Sequence, residues 1–329
     1  MAAPWRILSL PPIGEDVVRG LFAPLGDAAE VTFPRTRDRA GLLTALAGAD
    51  IVIADFAGRL ALDAEAVAAA PRLAFVQVPA VGTDSIDVAG LTAAGVPVAN
   101  AAGFNARGVA EWAVGAAFAL CRNLVWGDRA VRAGGWPQME MAARLPREIH
   151  TQRVGIVGFG AIGAETARLF AALGCAVSYW TRRKRPEATA TYRELDDLMA
   201  TSDILVLALP LADETRGLIG PERLALLPDN ALLVNVARGG IAPDDAVLDA
   251  LKSGRLAGAA LDVYDEEPLP PEHPLRSHED VLLSPHAAGG SAKSQLNLAV
   301  MVRDNVTAAV LGHDVRNVVN GVNPQVRRR

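Results

Sequence analysis

Lysine is almost missing from this chain: Lys184, Lys252 and Lys293 stand alone among 32 basic residues, so nearly all positive charge is guanidinium. The balance is acidic, with a formal net charge of −5, which argues against nucleic acid as a main partner. Cysteine is equally scarce. Cys121 and Cys175 have neither C-x-x-C spacing nor neighbouring ligands, so no disulfide framework and no metal site are expected; two buried thiols in a reducing cytoplasm are. The longest helical apolar stretch, 112–121, falls well short of the roughly 18 residues that a membrane span needs. Residues 1–10 lack a basic start followed by an apolar run, so no signal peptide is expected.

What is present is ample apolar material: 51% of 329 residues are hydrophobic, enough for two cores. Apolar strand-like runs at 6–10, 30–33, 51–54, 73–78 and 96–99 alternate with helical candidates at 15–25, 39–47, 63–70 and 85–94. Alternation of this kind implies a parallel sheet with helices on both faces. A long helix over 105–122, apolar on most of its circumference, reads as buried between domains. Residues 127–150 are less regular and read as a segment that could wrap a partner subunit. Further strands are expected at 204–209, 231–236, 256–262 and 281–283, separated by helices at 194–200, 221–227 and 244–253. A last helix spans 291–311 with Gly312 as its stop, and the tail with Arg327, Arg328 and Arg329 reads as disordered.

The stretch 153–181 organises the second half. Val154, Ile156 and Val157 form a strand that ends in glycine, and helical periodicity follows over 164–173. Gly158, Gly160 and Gly163 fit G-x-G-x-x-G, with Phe159, Ala161 and Ile162 between them. The first glycine permits the turn, the second lets backbone approach a pyrophosphate, and the third lets helix pack on strand. The helix N-terminus adds free N–H groups and partial positive charge. With the required strand before it and helix after it, this is read as a dinucleotide site in a domain of about six strands.

The next strand, 176–180, bears on which dinucleotide. An acidic residue about 20 positions on would grip the ribose 2′-hydroxyl of NAD. Here Thr181 is followed by Arg182, Arg183, Lys184 and Arg185, and no carboxylate appears until Glu187. A hydroxyl and guanidinium forks suit a phosphate monoester, so NADP(H) is expected over NAD(H). The alternative reading is a solvated basic loop.

A dinucleotide domain implies hydride transfer, and carbonyl reduction needs a proton donor and an anchor for an anionic substrate. Arg238 in LLVNVARGG, Glu267 in ALDVYDEEP and His286 in LLSPHAAGG each follow an expected strand, where open α/β sheets bind ligands. The other histidines, His150, His273, His278 and His313, lie in polar loops and read as solvated. A carboxylate bonded to one ring nitrogen fixes the tautomer and favours the protonated ring, which makes Glu267 the natural partner of His286.

In order and separation, VGFGAIG, LPLADETRGLI, NVARGG, LDVYDEEP and SPHAAGG resemble the D-isomer-specific 2-hydroxyacid dehydrogenase family, as do VGTDSIDVAGLTAAGVPVAN and VAEW upstream. The resemblance covers about 78–311. It implies an α/β protein of two Rossmann-like doubly wound parallel-sheet domains: a discontinuous substrate domain, 1–100 with 288–329, and an NAD(P)-binding domain, 101–287. The active site would lie in the interdomain cleft, and a homodimer is implied. Carried over by motif, His286 is the acid/base, Glu267 its partner and Arg238 the carboxylate anchor. The backbone of Val81 and Gly82 would hold the same carboxylate, and Asn105 matches a substrate-contacting position of the related formate dehydrogenases. Asp262 would meet the nicotinamide carboxamide, and Pro210, Thr215, Val236 and Ala237 would complete the cofactor side.

Formate oxidation is disfavoured, because those enzymes carry glutamine where this chain has Glu267. PAVGTD also lacks the lysine of the phosphite-oxidising relatives. Trp112 stands where many members have histidine, and Thr181 replaces the usual acidic residue, as in NADPH-using glyoxylate and hydroxypyruvate reductases. No regulatory domain of the kind found in longer phosphoglycerate dehydrogenases is expected after Arg329. The expected activity is reduction of small 2-oxo acids with NADPH. The rival readings are an NAD-dependent dehydrogenase working oxidatively and a non-catalytic dinucleotide-sensing protein of the same fold.

Overall fold

The computed structural model describes residues 3–56, 58–186 and 188–329. The chain divides into two compact units, Met1–Phe104 with Ala292–Arg329, and Asn105–Ser291. Each is built on one parallel sheet covered by helices.

The first unit alternates β1 (Trp5–Ser9), α1 (Glu15–Phe22), β2 (Ala29–Thr32), α2 (Arg39–Leu46), β3 (Ile51–Ile53), α3 (Ala64–Ala68), β4 (Phe75–Gln77), α4 (Val88–Ala93) and β5 (Val98–Ala99). The spatial order is β2-β1-β3-β4-β5, all parallel. Strand residues such as Ile7, Leu8, Ile51, Val52, Phe75 and Val76 are fully buried, as an apolar run covered on both faces must be. Three helices open on an aspartate side chain that accepts a first-turn N–H: Asp38 from Gly41, Asp63 from Ala66 and Asp87 from Gly90. The helix expected over 15–25 ends at Phe22, because Pro24 and the left-handed Gly26 (φ 51°) convert its last part to a 3₁₀ turn.

The second unit begins with α5 (Ala106–Cys121), α6 (Leu124–Arg132) and α7 (Gln138–Ala143). It continues through β6 (Arg153–Val157), α8 (Ala161–Ala172), β7 (Ala176–Trp180), β8 (Thr191–Tyr192), α9 (Leu195–Ala200) and β9 (Ile204–Leu207). It ends with α10 (Pro221–Leu224), β10 (Ala231–Asn235), α11 (Asp244–Lys252), β11 (Leu256–Leu261) and β12 (Val281–Leu283). Its seven parallel strands run β12-β11-β10-β9-β6-β7-β8, one more than expected because the two-residue edge strand β8 carries too little pattern to be read. The order reverses between β6 and β9, which defines the crevice where an α/β sheet binds its ligand.

One expectation is corrected in this unit. The 105–122 helix belongs to the second unit and packs on α8, β10 and β11 through Val109, Ala113, Ala116, Ala117 and Cys121. The irregular stretch 127–150 holds helical structure, α6 and α7. Asn123, left-handed at φ 51°, turns the chain out of α5 into α6, and α7 folds back so that Met141 abuts Gly127. Gly134, Gly135 and Pro137 interrupt the pattern, and the apolar residues here face outward, so no buried face betrays the helices.

The chain returns to the first unit with α12 (Ala292–Leu311), whose Val302, Val306 and Ala309 join Ile7, Ile53 and Phe75 in one core. The tail, expected to be disordered, is instead tied down. Val326 is buried, Val315 N donates to Pro324 O, and Arg328 donates to Ala3 O at 2.6 Å while lying over the Trp5 ring. No helix of the described residues is long and apolar enough to cross a membrane.

Asn305, on α12 and 3% exposed, joins three segments of this unit. Its Nδ2 donates to Gln77 Oε1 at 2.8 Å and to Arg316 O at 3.0 Å, and its Oδ1 accepts from Arg316 N at 2.9 Å. Asn305→Ala removes the partner of the buried Gln77 Oε1 and of both backbone groups of Arg316, and is expected to cost about 2–3 kcal/mol. Chemical denaturation checks it; an unchanged midpoint would show the bonds to be dispensable.

Candidate active site

Arg238, Glu267 and His286 follow three adjacent parallel strands, β10, β11 and β12, on the same edge of the sheet. Arg238 comes three residues after Asn235, Glu267 six after Leu261 and His286 three after Leu283, and those three strand residues are partners in register.

The His286 loop is built on a buried carboxylate. Asp262, 3% exposed, accepts from Ser284 Oγ at 2.7 Å and Ala287 N at 2.8 Å through Oδ1, and from Ala288 N at 3.0 Å through Oδ2. Its backbone carbonyl takes the His286 N–H at 2.9 Å. His286 itself is left-handed (φ 53°), a conformation that these bonds sustain. Tyr264 braces the loop from below, donating from its hydroxyl toward Leu261 O and Ser284 O and accepting from Ser284 N. His286 Nδ1 then meets Glu267 Oε2 at 2.7 Å, while Glu267 Oε1 accepts from Tyr264 N at 3.1 Å. An anionic Glu267 selects the tautomer with hydrogen on Nδ1, which leaves Nε2 as the ring nitrogen available to a ligand. The imidazole is 46% exposed, so a ligand can reach it.

The Arg238 loop is held by Asn235, whose Oδ1 accepts from Ala237 N and whose Nδ2 donates to Arg238 O. One guanidinium nitrogen bonds to Ala237 O at 2.8 Å, which orients the fork. At Gly239 a side chain is excluded, since a Cβ would lie 1.7 Å from Tyr264 O. Asp265 reaches across from the β11 loop, accepting from Gly240 N at 2.7 Å and Asp244 N at 3.0 Å, and Asp265 N donates to Asp244 Oδ2 at 3.2 Å. His273 Nε2 lies 3.7 Å from that same oxygen. Burial, with the Asp265 charge behind it, pushes Asp244 up to about 6.

His273 is a correction. Read as solvated, it is largely covered and also caps the following 3₁₀ turn through Leu275 N; His278 likewise accepts from Asp280 N, whereas His150 and His313 are exposed. Histidine in a polar segment carries no periodicity, so only the packed loop reveals its neighbours. The cysteines are buried, and burial pushes the Cys121 thiol up to about 11, which leaves it inert as a nucleophile. Among the described residues no cluster of histidine, cysteine and carboxylate side chains could hold a metal.

The glycine fingerprint lies at the reversal between β6 and β9. Gly158 has φ 98°, and a Cβ there would meet Ala208 O at 2.4 Å. At Gly163 a Cβ would meet Gly158 O at 2.0 Å, so only glycine lets α8 approach its strand. Gly160 faces open space, with nothing within 4 Å of a Cβ, and it caps α8 without a side-chain bond. These features fit a pyrophosphate lying on the helix N-terminus beside Phe159, Ala161 and Ile162.

Beyond β7, the Thr181 hydroxyl donates to Arg183 O at 2.6 Å, and Tyr179 OH bonds both the carbonyl and the N–H of Arg185. Arg182 and Arg183 are exposed on the turn thus fixed, and Glu187 lies outside the described residues. Val236 and Ala237 are buried at the end of β10, and Pro210 is exposed. The Thr215 hydroxyl is engaged within its own loop, by Ala212 N and Pro210 O. Asn105 stands at the start of α5 against Gly289, its buried Oδ1 lacking a hydrogen-bond partner. In the first unit, Val81 and Gly82 sit in the loop after β4, where Asn100 Nδ2 holds Val81 O at 2.7 Å.

The family described as D-isomer specific 2-hydroxyacid dehydrogenase, NAD binding domain, matches residues 114–288. The glyoxylate reductase of Aeropyrum pernix is 40% identical over 81% of this chain and 82% of its own length. That of Korarchaeum cryptofilum is 38% identical over 79% and 80%. Among solved structures, a glyoxylate reductase from Paecilomyes thermophila superposes with a TM-score of 0.85 at 27% identity, covering 94% of this chain and 96% of its own. The apo D-mandelate dehydrogenase of Rhodotorula graminis shares the fold, with a TM-score of 0.89 at 23% identity over 98% and 99%. On this evidence the chain belongs to the D-isomer specific 2-hydroxyacid dehydrogenase family, whose members are nicotinamide-dinucleotide-dependent oxidoreductases.

Proposed function

We propose that this chain is an NADPH-preferring reductase of small 2-oxo acids, glyoxylate or hydroxypyruvate, giving D-2-hydroxy acids. The observation that carries the reading is the His286–Glu267 pair, 2.7 Å apart, on the sheet edge that also bears Arg238. The similarity to glyoxylate reductases favours the substrate class. The unit with the glycine fingerprint is assigned to the cofactor, and the discontinuous unit to the substrate.

When bound, the reduced nicotinamide supplies a hydride to the carbonyl carbon. The chain's own residues do the rest. Arg238 binds the carboxylate and polarises the carbonyl, with Asn105 as a further polar contact; in the first unit, the Val81 and Gly82 N–H groups are proposed as donors to an anionic substrate. Protonated His286 gives the Nε2 proton to the carbonyl oxygen, and Glu267 stabilises the cation beforehand and keeps the ring oriented. Asp262, although engaged by three bonds from the loop after β12, is proposed to meet the nicotinamide carboxamide, with Pro210, Thr215, Val236 and Ala237 completing the cofactor side.

The test is loss of reduced-nicotinamide absorbance with NADPH and NADH side by side, using glyoxylate, hydroxypyruvate, pyruvate and an aryl 2-oxo acid. Turnover with strong NADPH preference is expected. Cofactor binding without oxidation would favour a sensing protein, and activity confined to NAD and hydroxy acids would favour the oxidative dehydrogenase. His286→Ala is expected to lower turnover by roughly 10²-fold or more with cofactor affinity intact, and Arg238→Ala to weaken oxo-acid binding above all. Unchanged kinetics in either would remove that residue from the mechanism.

Arg182, Arg183 and Thr181 are proposed to hold the 2′-phosphate. Losing one charge-assisted bond in Arg182→Ala is expected to raise the NADPH KM by about tenfold and leave that for NADH unaltered. An unaltered NADPH value would refute the assignment.

We further propose a homodimer formed through the 124–145 segment, where Leu124, Val131, Trp136, Met139 and Leu145 are exposed, Trp136 by 81%. Sedimentation should give a dimer that Trp136→Glu dissociates; a monomeric wild-type chain would rule it out.

A further inference from the structure

The loops that carry Arg238 and Glu267 leave different strands, yet their separation decides whether anchor and acid/base pair can serve one substrate. Nothing covalent fixes that distance. Asp265 does so noncovalently: its carboxylate spans to Gly240 N at 2.7 Å, two residues beyond Arg238, and to Asp244 N at 3.0 Å, while its own N–H returns a bond to Asp244 Oδ2. The two aspartates thus form a reciprocal clamp, each accepting from the other's backbone. Gly239 closes the same seam by placing backbone directly on Tyr264 O.

We propose that Asp265 is a positioning residue for the reaction, setting Arg238 against the Glu267–His286 pair by bridging the two loops, with Asp244 and His273 completing the clamp. The inference rests on the reductase reading above.

Three features favour this over a role in folding alone. Asp265 lies two residues before Glu267 and its bond to Gly240 lands two residues after Arg238, so any slack is passed directly to both functional side chains. Bringing Asp265 and Asp244 together sets two carboxylates side by side, with Asp245 nearby and His273 Nε2 at 3.7 Å from Asp244 Oδ2, a crowding of like charge that packing alone does not call for. The cofactor fingerprint on β6 and α8 takes no part in these bonds, so the clamp is aimed at the substrate end of the unit.

The test compares Asp265→Ala and Asp265→Asn with the wild-type protein. Asp265→Ala is expected to raise the KM for the 2-oxo acid by about tenfold or more and to lower kcat, with the cofactor Kd within twofold. Asn, which keeps one acceptor oxygen, should fall between. If cofactor affinity drops in parallel with substrate affinity, or if KM and kcat both stay within twofold, the positioning role is wrong. Amide hydrogen exchange gives a readout independent of turnover: Gly240 and Asp244 should both exchange at least tenfold faster in Asp265→Ala, and one of the two in Asp265→Asn, with β10 amides unchanged. Unaltered exchange in the variants overturns the clamp even if no 2-oxo acid is a substrate, whereas faster exchange in the variants of a protein whose wild-type form shows no turnover would leave the clamp standing and sink the reductase reading.

Discussion

The site depends on one buried carboxylate. Asp262 ends β11 with no room for solvent and takes hydrogen bonds from Ser284, Ala287 and Ala288, all of them on the loop after the neighbouring strand. A charge in such a place is tolerable only when its acceptor capacity is well used, and meeting that demand folds the loop. The left-handed His286 follows: its backbone is bent so that its neighbours can reach Asp262, and the imidazole is thereby aimed at Glu267. The orientation of the imidazole proposed as the acid/base is therefore inherited from a group outside the proposed substrate contacts.

The same logic extends along the sheet edge. Two of the three candidate side chains sit on backbone fastened by a buried polar residue, Asn235 for Arg238 and Asp262 for His286, while the Tyr264 amide holds the Glu267 carboxylate directly. Flexible long side chains are carried on rigid backbone, so that the entropy cost of organising the site is met in folding rather than on binding. The dinucleotide end uses the opposite device. There the backbone itself is the proposed binding element, and Gly158 and Gly163 have no side chains to keep β6, α8 and the end of β9 apart.

Much of this was legible in the sequence because it is written in local pattern. Buried parallel strands are continuous apolar runs, so β6, β9, β10 and β11 stand out, and G-x-G-x-x-G and the residues after each strand end mark the functional edge. Edge strand β8 and helices α6 and α7 were not legible, because a two-residue strand has no period and helices with exposed apolar residues have no buried face. The tail read as disordered because three arginines suggest solvation, whereas Arg328 lies over Trp5, a partner more than three hundred residues away. Asp265, Asp244 and His273 escaped for a related reason: their meaning lies in which backbone N–H each one reaches, and that is decided by the pairing of distant loops.

The interrupted first unit has a consequence for synthesis on the ribosome. Its core needs Val302, Val306 and Ala309 from α12 beside Ile7 and Phe75, so strands made at the outset stay incomplete until the last helix emerges. At about 5–20 residues per second, the roughly 200 residues between them take on the order of ten to forty seconds. The second unit draws its cores wholly from within itself and can fold during that interval. Throughout it the early strands lack the helix that covers Ile7, Ile51, Ile53 and Phe75, so this half of the nascent chain carries an exposed apolar sheet face while the other half folds.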